Sequence, residues 1–120
     1  MRAEAVVRPL VTVSARDLAR LGQLLLDGGT HQGQALLPAD WVRRMGQPTA
    51  IAPFYGWLVW LNPEGRLFEG ASPGAMFMQG AGGHMVWVDP ELQAVVVTRW
   101  LDPGHQARFI AMAARALHGS

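Results

Sequence analysis

Two residue types that often carry chemistry are missing from this chain of 120 residues. It has no cysteine, and because all ten of its basic residues are arginine it has no lysine either. Without cysteine it has no disulfide, thiol nucleophile, zinc–thiolate site or iron–sulfur cluster, although its compartment stays unknown because many exported proteins also lack cysteine. Without lysine it has no Schiff base, P-loop lysine or Ser-x-x-Lys nucleophile pair.

Charge is also scarce. Charged residues make up 16% of the chain and the net charge is +1, so the chain lacks the basic patch typical of nucleic-acid binding. No apolar run approaches the ~20 residues of a membrane span, and the first residues are not followed by the apolar stretch of a signal peptide. We therefore expect a soluble protein that binds no nucleic acid and has no membrane span.

The chain does contain enough apolar material for one core. Half of its residues are hydrophobic, and 120 residues is the size of one ordinary domain. It contains no internal repeat, low-complexity tract or linker. We predict that residues 1–120 form a single domain.

Three segments have helical spacing. The first covers 15–27, since the Ser14 hydroxyl can accept from an amide three residues on, leucines recur at i, i+3 and i+7, and two glycines follow. The second covers 38–46, with proline at its first position. The third covers 105–118.

Four segments are rich in β-branched and aromatic residues. We predict strands at 54–61, 75–79, 84–89 and 94–100. The first lacks clean alternation, so we predict that it is buried on much of both faces. The last two should form a hairpin. The chain is thus predicted to have an α/β composition of the α+β type.

The run Gly80-Ala81-Gly82-Gly83 is the most unusual local feature. Glycine serves where the backbone approaches a ligand closely or adopts a positive φ, but the same run also suits a β-bulge or a tight corner. It does not match a dinucleotide- or phosphate-binding loop. Its function is therefore left open by the residues alone.

The other candidate residues favour structural roles. The four histidines lack metal-ligand spacing, so no metal and no other cofactor is expected. Ser14 is better explained as a helix cap than as a nucleophile, and no serine is followed by a base at a useful spacing. The tryptophans could form a ligand platform, but core packing is the favoured interpretation. They are Trp41, Trp57, Trp60, Trp87 and Trp100.

Several segments, in order and spacing, carry a resemblance that covers nearly the whole chain. They include Val13-Ser14-Ala15-Arg16-Asp17-Leu18, Leu36-Leu37-Pro38-Ala39-Asp40-Trp41, Tyr55-Gly56-Trp57, Gly80-Ala81-Gly82-Gly83-His84 and Val88-Asp89-Pro90-Glu91-Leu92. Together they resemble the C-terminal part of the serine β-lactamase and penicillin-binding-protein-like hydrolases, particularly the class C β-lactamase and esterase branch.

The resemblance implies an antiparallel sheet covered by helices, with the strand that enters the glycines forming a wall of the active site. In that family the wall carries Lys-Thr-Gly or His-Thr-Gly, which is matched here to Ala81-Gly82-Gly83. The amide after the triad donates to the oxyanion, so the resemblance assigns this role to the N–H of His84, or to that of Gly83 if the match slips by one residue. We expect this amide to face an open concave surface, which a Cβ at Gly82 or Gly83 would block without harming the fold.

Two motifs of the family are absent. Ser-x-x-Lys cannot occur without lysine, and the only tyrosine, Tyr55, does not begin a Tyr-x-Asn. The chain therefore has no catalytic nucleophile or base, and the resemblance implies a C-terminal portion that is inactive alone. The complete enzyme would transfer the acyl group of a small-molecule ester or amide to its serine. This portion would need an N-terminal catalytic half, or would self-associate through uncovered apolar surface.

Two other readings stay open. One is a non-catalytic binding or scaffold domain derived from the same fold, with Trp57, Trp60, Met78 and His84 near a ligand cleft. The other is a minimal hydrolase that uses His84 with Asp89 or Asp102, although no nucleophile pairs with it.

Overall fold

A computed structural model of the protein describes residues 13–119. Within them lie three α-helices and six short strands. The helices are α1 (Ala15–Leu26), α2 (Ala39–Met45) and α3 (Gln106–His118). The strands are β1 (Thr30–His31), β2 (Gln34–Ala35), β3 (Trp60–Leu61), β4 (Met76–Gly80), β5 (His84–Asp89) and β6 (Ala94–Thr98).

Four strands form an antiparallel sheet in the order β3-β4-β5-β6. Successive side chains of β5 point to opposite faces. Val86 and Val88 pack with residues of α1, whereas Met85 and Trp87 pack with Ile110 of α3. The predicted α+β fold, with an antiparallel sheet flanked by helices, is confirmed, and so is the hairpin between 84–89 and the following strand.

Helix α1 begins and ends as its sequence predicts. The Ser14 hydroxyl accepts from the Asp17 amide at 3.1 Å, and Gly28 and Gly29 take φ values of 71° and 93° beyond the last turn. Gly22 lies against the sheet so closely that a Cβ there would be 2.6 Å from a methyl of Val95. Helix α1 therefore packs tightly over β5 and β6.

Helix α2 carries a charged cluster on its exposed surface. Asp40 accepts a hydrogen bond from Arg43 and forms an ion pair with Arg44, one turn further along the helix. The hydrogen bond from Arg43, with the charge of both arginines, lowers the pKa of Asp40 below its usual value. This pairing stabilises a helix of only seven residues, whose single buried side chain is Val42.

The prediction of a strand over 54–61 is wrong. Only Trp60 and Leu61 belong to a strand, and the segment turns back on itself, with the Leu61 amide donating to the Phe54 carbonyl at 2.7 Å. Leu58, at the turn, has φ +66° and is 82% exposed. Gly56 permits the reversal, since a Cβ there would lie 2.0 Å from the Met45 carbonyl oxygen. The apolar segment 54–61, which lacks alternation, therefore forms a tight reversal and not a strand.

Smaller differences lie at other element ends. The strand predicted to reach residue 100 ends at Thr98, because Trp100 takes a φ of +60° that a strand does not tolerate. A short hairpin, β1–β2, is not among the predicted strands, and its two turn residues, Gln32 and Gly33, both have positive φ.

Core packing is the wrong interpretation for most of the tryptophans. Trp87 is fully buried, but Trp41, Trp57, Trp60 and Trp100 are between 37% and 75% exposed. The exposed four lie on short elements or loops, and no second layer of described residues covers them. Trp41 and Trp57 contact each other edge to face at 4.8 Å.

Among residues 13–119, no helix is both long and apolar enough to cross a membrane.

Candidate functional site

An open groove of about 680 Å³, called the groove below, lies between the start of α1, the C-terminal end of β4 and the N-terminal end of β5. Its apolar lining includes Leu18, Leu21, Met78 and Val86, and its polar lining consists of Asp17, Gln79, His84 and Arg99. Two of the predicted site residues, Ala81 and His84, line it.

The predicted triad Ala81-Gly82-Gly83 forms the turn of the β4–β5 hairpin. Gly80 and His84 pair on either side of it, and both Gly82 and Gly83 have positive φ. A Cβ at Gly83 would lie 1.8 Å from the Leu101 carbonyl oxygen, and one at Gly82 would meet Trp100 at 3.1 Å. These glycines face the chain after β6, so the expectation that a Cβ at Gly83 would block an open surface and spare the fold is wrong.

The Gly83 carbonyl fastens this turn to the end of β6. It accepts hydrogen bonds from the Thr98 hydroxyl and from the Leu101 amide, both at 3.3 Å. Close backbone packing of this kind leaves room only for glycine. The role of Gly83 in the described residues is to hold the hairpin in place.

The strand that enters the glycine run ends at Gly80. Its last three residues, Met78-Gln79-Gly80, line the groove together with Ala81. No hydrogen bond joins the Ala81 amide to another residue of the described part of the chain. Gln79 and Gly80 were missed from the sequence because the glycine run was matched as a unit, although the predicted strand at 75–79 already marked where the wall ends.

His84 sits at the rim of the groove in a fixed orientation. Its Nδ1 accepts from Arg99 Nε at 3.1 Å, and its ring contacts Trp100 edge to face with centroids 4.5 Å apart. Because a guanidinium can only donate, Nδ1 is the acceptor in this contact, which leaves Nε2 as the donor position of the ring. His84 is therefore arranged to donate from Nε2.

Arg99 joins the two sides of the groove. Besides its bond to His84, it donates from Nη1 to the Val13 carbonyl at 2.9 Å. This bond ties the chain just before α1 to the C-terminal end of β6. No carboxylate among residues 13–119 pairs with it. The sequence offered no signal for this residue, because its partner Val13 lies 86 positions away.

Asp17 supplies the negative charge on the groove. Its carboxylate accepts a hydrogen bond from Arg20 at 2.7 Å. The groove therefore has an apolar floor between a carboxylate and a guanidinium. This arrangement suits an extended ligand with an aliphatic chain and polar groups.

A nucleophile with an adjacent base is not present among the described residues. Ser14 caps α1, and Ser72 is 8% exposed with its amide donating to Asp89. Asp89 is fully buried and also accepts from Trp87 Nε1 and the Leu92 amide, while Asp102 accepts from the Gly104 amide. Neither aspartate bonds to His84, so the minimal-hydrolase reading has no geometric support.

The four residues that the binding-domain hypothesis places near one ligand cleft do not lie together. Met78 and His84 share the groove, but Trp57 lines a cavity beside Arg43 and Arg44, and Trp60 lines another with Tyr55. Within residues 13–119, no three His, Asp or Glu side chains are grouped as a metal site would require.

The antiparallel sheet flanked by helices is compatible with the C-terminal region of a β-lactamase-like fold. A 6-aminohexanoate-dimer hydrolase from Paenarthrobacter ureafaciens, a member of the β-lactamase fold family, is 31% identical over 102 residues, which cover 78% of this chain and 26% of that protein. The chain thus spans about a quarter of the length of this relative. No protein-family model matches the chain. The similarity supports the β-lactamase fold family, and the relative is a hydrolase.

Proposed function

We propose that this chain is the C-terminal portion of a serine hydrolase of the class C β-lactamase and esterase branch, and that it supplies one wall of an acyl-transfer site. The observation that carries the proposal is the end of β4, which lines an open groove next to the Ala81 amide, and this amide has no hydrogen-bond partner within residues 13–119. The attacking serine and its base come from polypeptide outside these 120 residues, and the chain alone is inactive.

Ala81 is the residue whose amide we assign to the oxyanion. The wall is carried by a strand in the family, and the strand here ends at Gly80, so Met78-Gln79-Gly80 takes the place of the triad and Ala81 follows it. The two amides assigned from sequence are less suited, since Gly83 packs on Leu101 and His84 is paired with Gly80 in the sheet. One such donor is worth about 3–4 kcal/mol in the transition state.

His84 has a second role in this proposal. His84 lines the groove, and its ring is held by Arg99 and Trp100. An imidazole N–H that donates can polarise the substrate carbonyl or bind a leaving group without adding a base. In the resemblance, the position of the family's cationic or imidazole side chain falls on Ala81, so this role of His84 belongs to the present proposal alone.

The shape of the groove supports an amide or ester with aliphatic arms as the substrate. Its floor is formed by Leu18, Leu21 and Met78, and its charges stand at Asp17 and Arg99. The relative is named for the hydrolysis of a 6-aminohexanoate dimer. A small linear amide is therefore the first substrate class to try.

A chimaera tests the proposal. The matched quarter of the relative is replaced by this chain, and covalent labelling by a fluorophosphonate is followed by intact-mass spectrometry. We expect one adduct in the part derived from the relative, none on the relative truncated before this region, and none on the 120-residue chain alone.

Two results would contradict the proposal. Stoichiometric labelling of the isolated chain at Ser14 or Ser72 would show a self-sufficient enzyme. A chimaera that is folded by circular dichroism, yet neither labelled nor able to hydrolyse the 6-aminohexanoate dimer, would show that this chain supplies no working wall.

A further inference from the structure

Two successive side chains, those of Arg99 and Trp100, contact the same imidazole ring. Arg99 Nε donates to Nδ1 of His84 at 3.1 Å, and the Trp100 ring meets that imidazole edge to face with centroids 4.5 Å apart. In an extended strand, consecutive side chains point to opposite faces, so only one of the two could reach the ring. The backbone must therefore leave the strand conformation for both contacts to exist.

The register of the β5–β6 ladder explains the contact of Arg99. The ladder ends with Met85 opposite Thr98. One position further along, Arg99 comes opposite His84. Opposite residues of an antiparallel pair share a face of the sheet, which brings these two side chains together. A continued strand would turn the side chain of Trp100 to the other face, so its contact with the imidazole does not follow from the ladder.

A left-handed backbone at Trp100 makes the second contact. Its φ is +60°, in a region that L-residues rarely adopt. The turn brings the Leu101 amide to the Gly83 carbonyl at 3.3 Å, and for that purpose glycine would serve without strain and asparagine with little. The Trp100 ring belongs to neither of the two buried clusters of residues 13–119. Neither the turn nor the core of the described chain explains an indole here, whereas the contact with His84 does.

Gly82 leaves room for both rings. A Cβ at this position would lie 3.1 Å from the Trp100 ring and 3.3 Å from Nε2 of His84. The two rings thus pack against bare backbone, and a side chain at Gly82 would displace one of them. The imidazole is held on three sides, by a guanidinium, an indole and the backbone of a glycine.

We propose that Trp100 is a positioning residue, whose left-handed backbone places the indole against His84 and so keeps this imidazole bonded to Arg99 at the groove. The inference rests on the proposed role of His84 in the acyl-transfer site, because an N–H that assists a reaction must be held in one orientation. Trp100 acts through His84 and contacts no substrate itself.

The first test uses the 120-residue chain and does not depend on acyl transfer. Trp100→Gly keeps the positive φ and removes the ring, whereas Trp100→Phe keeps an aromatic ring at the same φ and is the matched control. The exchange of the Arg99 Nε proton with water, measured by ¹H–¹⁵N NMR, reports the bond to His84. The signal is assigned by its loss in Arg99→Gln.

We expect this proton to exchange several-fold faster in Trp100→Gly than in the unaltered chain, and at nearly the unaltered rate in Trp100→Phe. The melting temperature of Trp100→Gly should not fall, because glycine relieves the left-handed backbone. A loss of the bond without a loss of stability is the signature of a positioning residue.

The second test asks whether Trp100 acts through His84 in the chimaera. Trp100→Gly should lower the acylation rate by up to about 10²-fold, since a displacement of about 1 Å can have that effect. The same substitution in a His84→Ala background should change the rate by less than about two-fold, because no imidazole remains to be positioned. Trp100→Phe should retain most of the rate.

Three outcomes would overturn the inference. One is an Arg99 Nε proton that exchanges equally fast in Trp100→Gly and in the unaltered chain. The second is a marked fall in the melting temperature of Trp100→Gly, which would make the indole a structural anchor. The third is an equal loss of acylation rate with and without His84. A folded chimaera that is never labelled contradicts the proposed function instead, and the exchange measurement still decides the positioning role.

Discussion

Two regions that are both rich in apolar side chains fold in opposite ways. The meander formed by β4, β5 and β6 (residues 76–98) is a regular sheet with Trp87 at its centre, whereas the aromatic segment at 54–61 is a tight reversal with exposed side chains. The meander alternates its side chains between two helical layers, and the aromatic segment has no such alternation. Periodicity together with a layer on each face makes a strand, and hydrophobicity alone does not.

The two regions also use positive φ differently. In the meander it occurs in the connecting turns, at Gly82, Gly83 and Gln93, where a reversal is needed between paired strands. In the aromatic segment it falls on Leu58, whose large side chain is left in solvent. In the meander, positive φ values let the chain reverse between paired strands. At Leu58, a positive φ strains the backbone of an exposed residue.

The largest expected difference is between two tryptophan deletions. Trp87→Ala removes a fully buried ring that stacks on Phe77 and donates to Asp89, so we expect it to lower the free energy of unfolding by about 3–5 kcal/mol. Trp57→Ala removes a partly exposed ring whose main aromatic contact is Trp41, and should cost about 0.5–1.5 kcal/mol. Urea unfolding measures both losses of stability, and equal losses would contradict the difference between the two regions.

A smaller effect is expected from a methyl group in the hairpin turn. Gly83→Ala combines a positive φ with a clash on the Leu101 backbone, and should cost about 1–3 kcal/mol. Gly65→Ala is the matched control, because it has a similar φ of +73° but nothing near its Cβ position. Thermal melts should show the larger shift at Gly83; identical shifts would mean that the close packing on Leu101 is not stabilising.

The smallest effect is a gain. Leu58→Gly relieves the left-handed conformation of an exposed residue, which costs an L-residue about 1–2 kcal/mol, while glycine loses about 0.5–1 kcal/mol in chain entropy. We expect unchanged stability or a gain of up to about 1 kcal/mol in urea unfolding. A clear loss would show that Leu58 is packed in solution against something that the described residues do not include.

The sequence predicted the features that depend on neighbours along the chain. The Ser14 cap, the glycine stop of α1 and the strands of the meander all follow from spacings of a few residues. The reversal at 54–61 was missed because it depends on the fit of Gly56 against Met45, which no local pattern shows. Asn62 is similar: fully buried, it donates to the carbonyls of Phe68, Ala71 and Ser72, all of them six to ten residues later.

The groove was predicted only in part. The glycine run marked its location, and Ala81 and His84 line it. The other wall of the groove is α1, and Arg99 donates a hydrogen bond across to the Val13 carbonyl. Tertiary packing brings both to the groove. Which residues of the glycine run face the groove depends on where β4 ends and on the backbone of Leu101, neither of which the motif match could reveal.

The acylation rate of the chimaera with Ala81 replaced by proline tests the central claim most directly. Proline removes the amide that we assign to the oxyanion, whereas Ala81→Gly keeps it and serves as the control. The account predicts a fall of about 10²–10³-fold for Ala81→Pro and a change of only a few-fold for Ala81→Gly, at similar melting temperatures. A folded Ala81→Pro chimaera that acylates at the unaltered rate would contradict the account and return the assignment to the amide of His84 or Gly83.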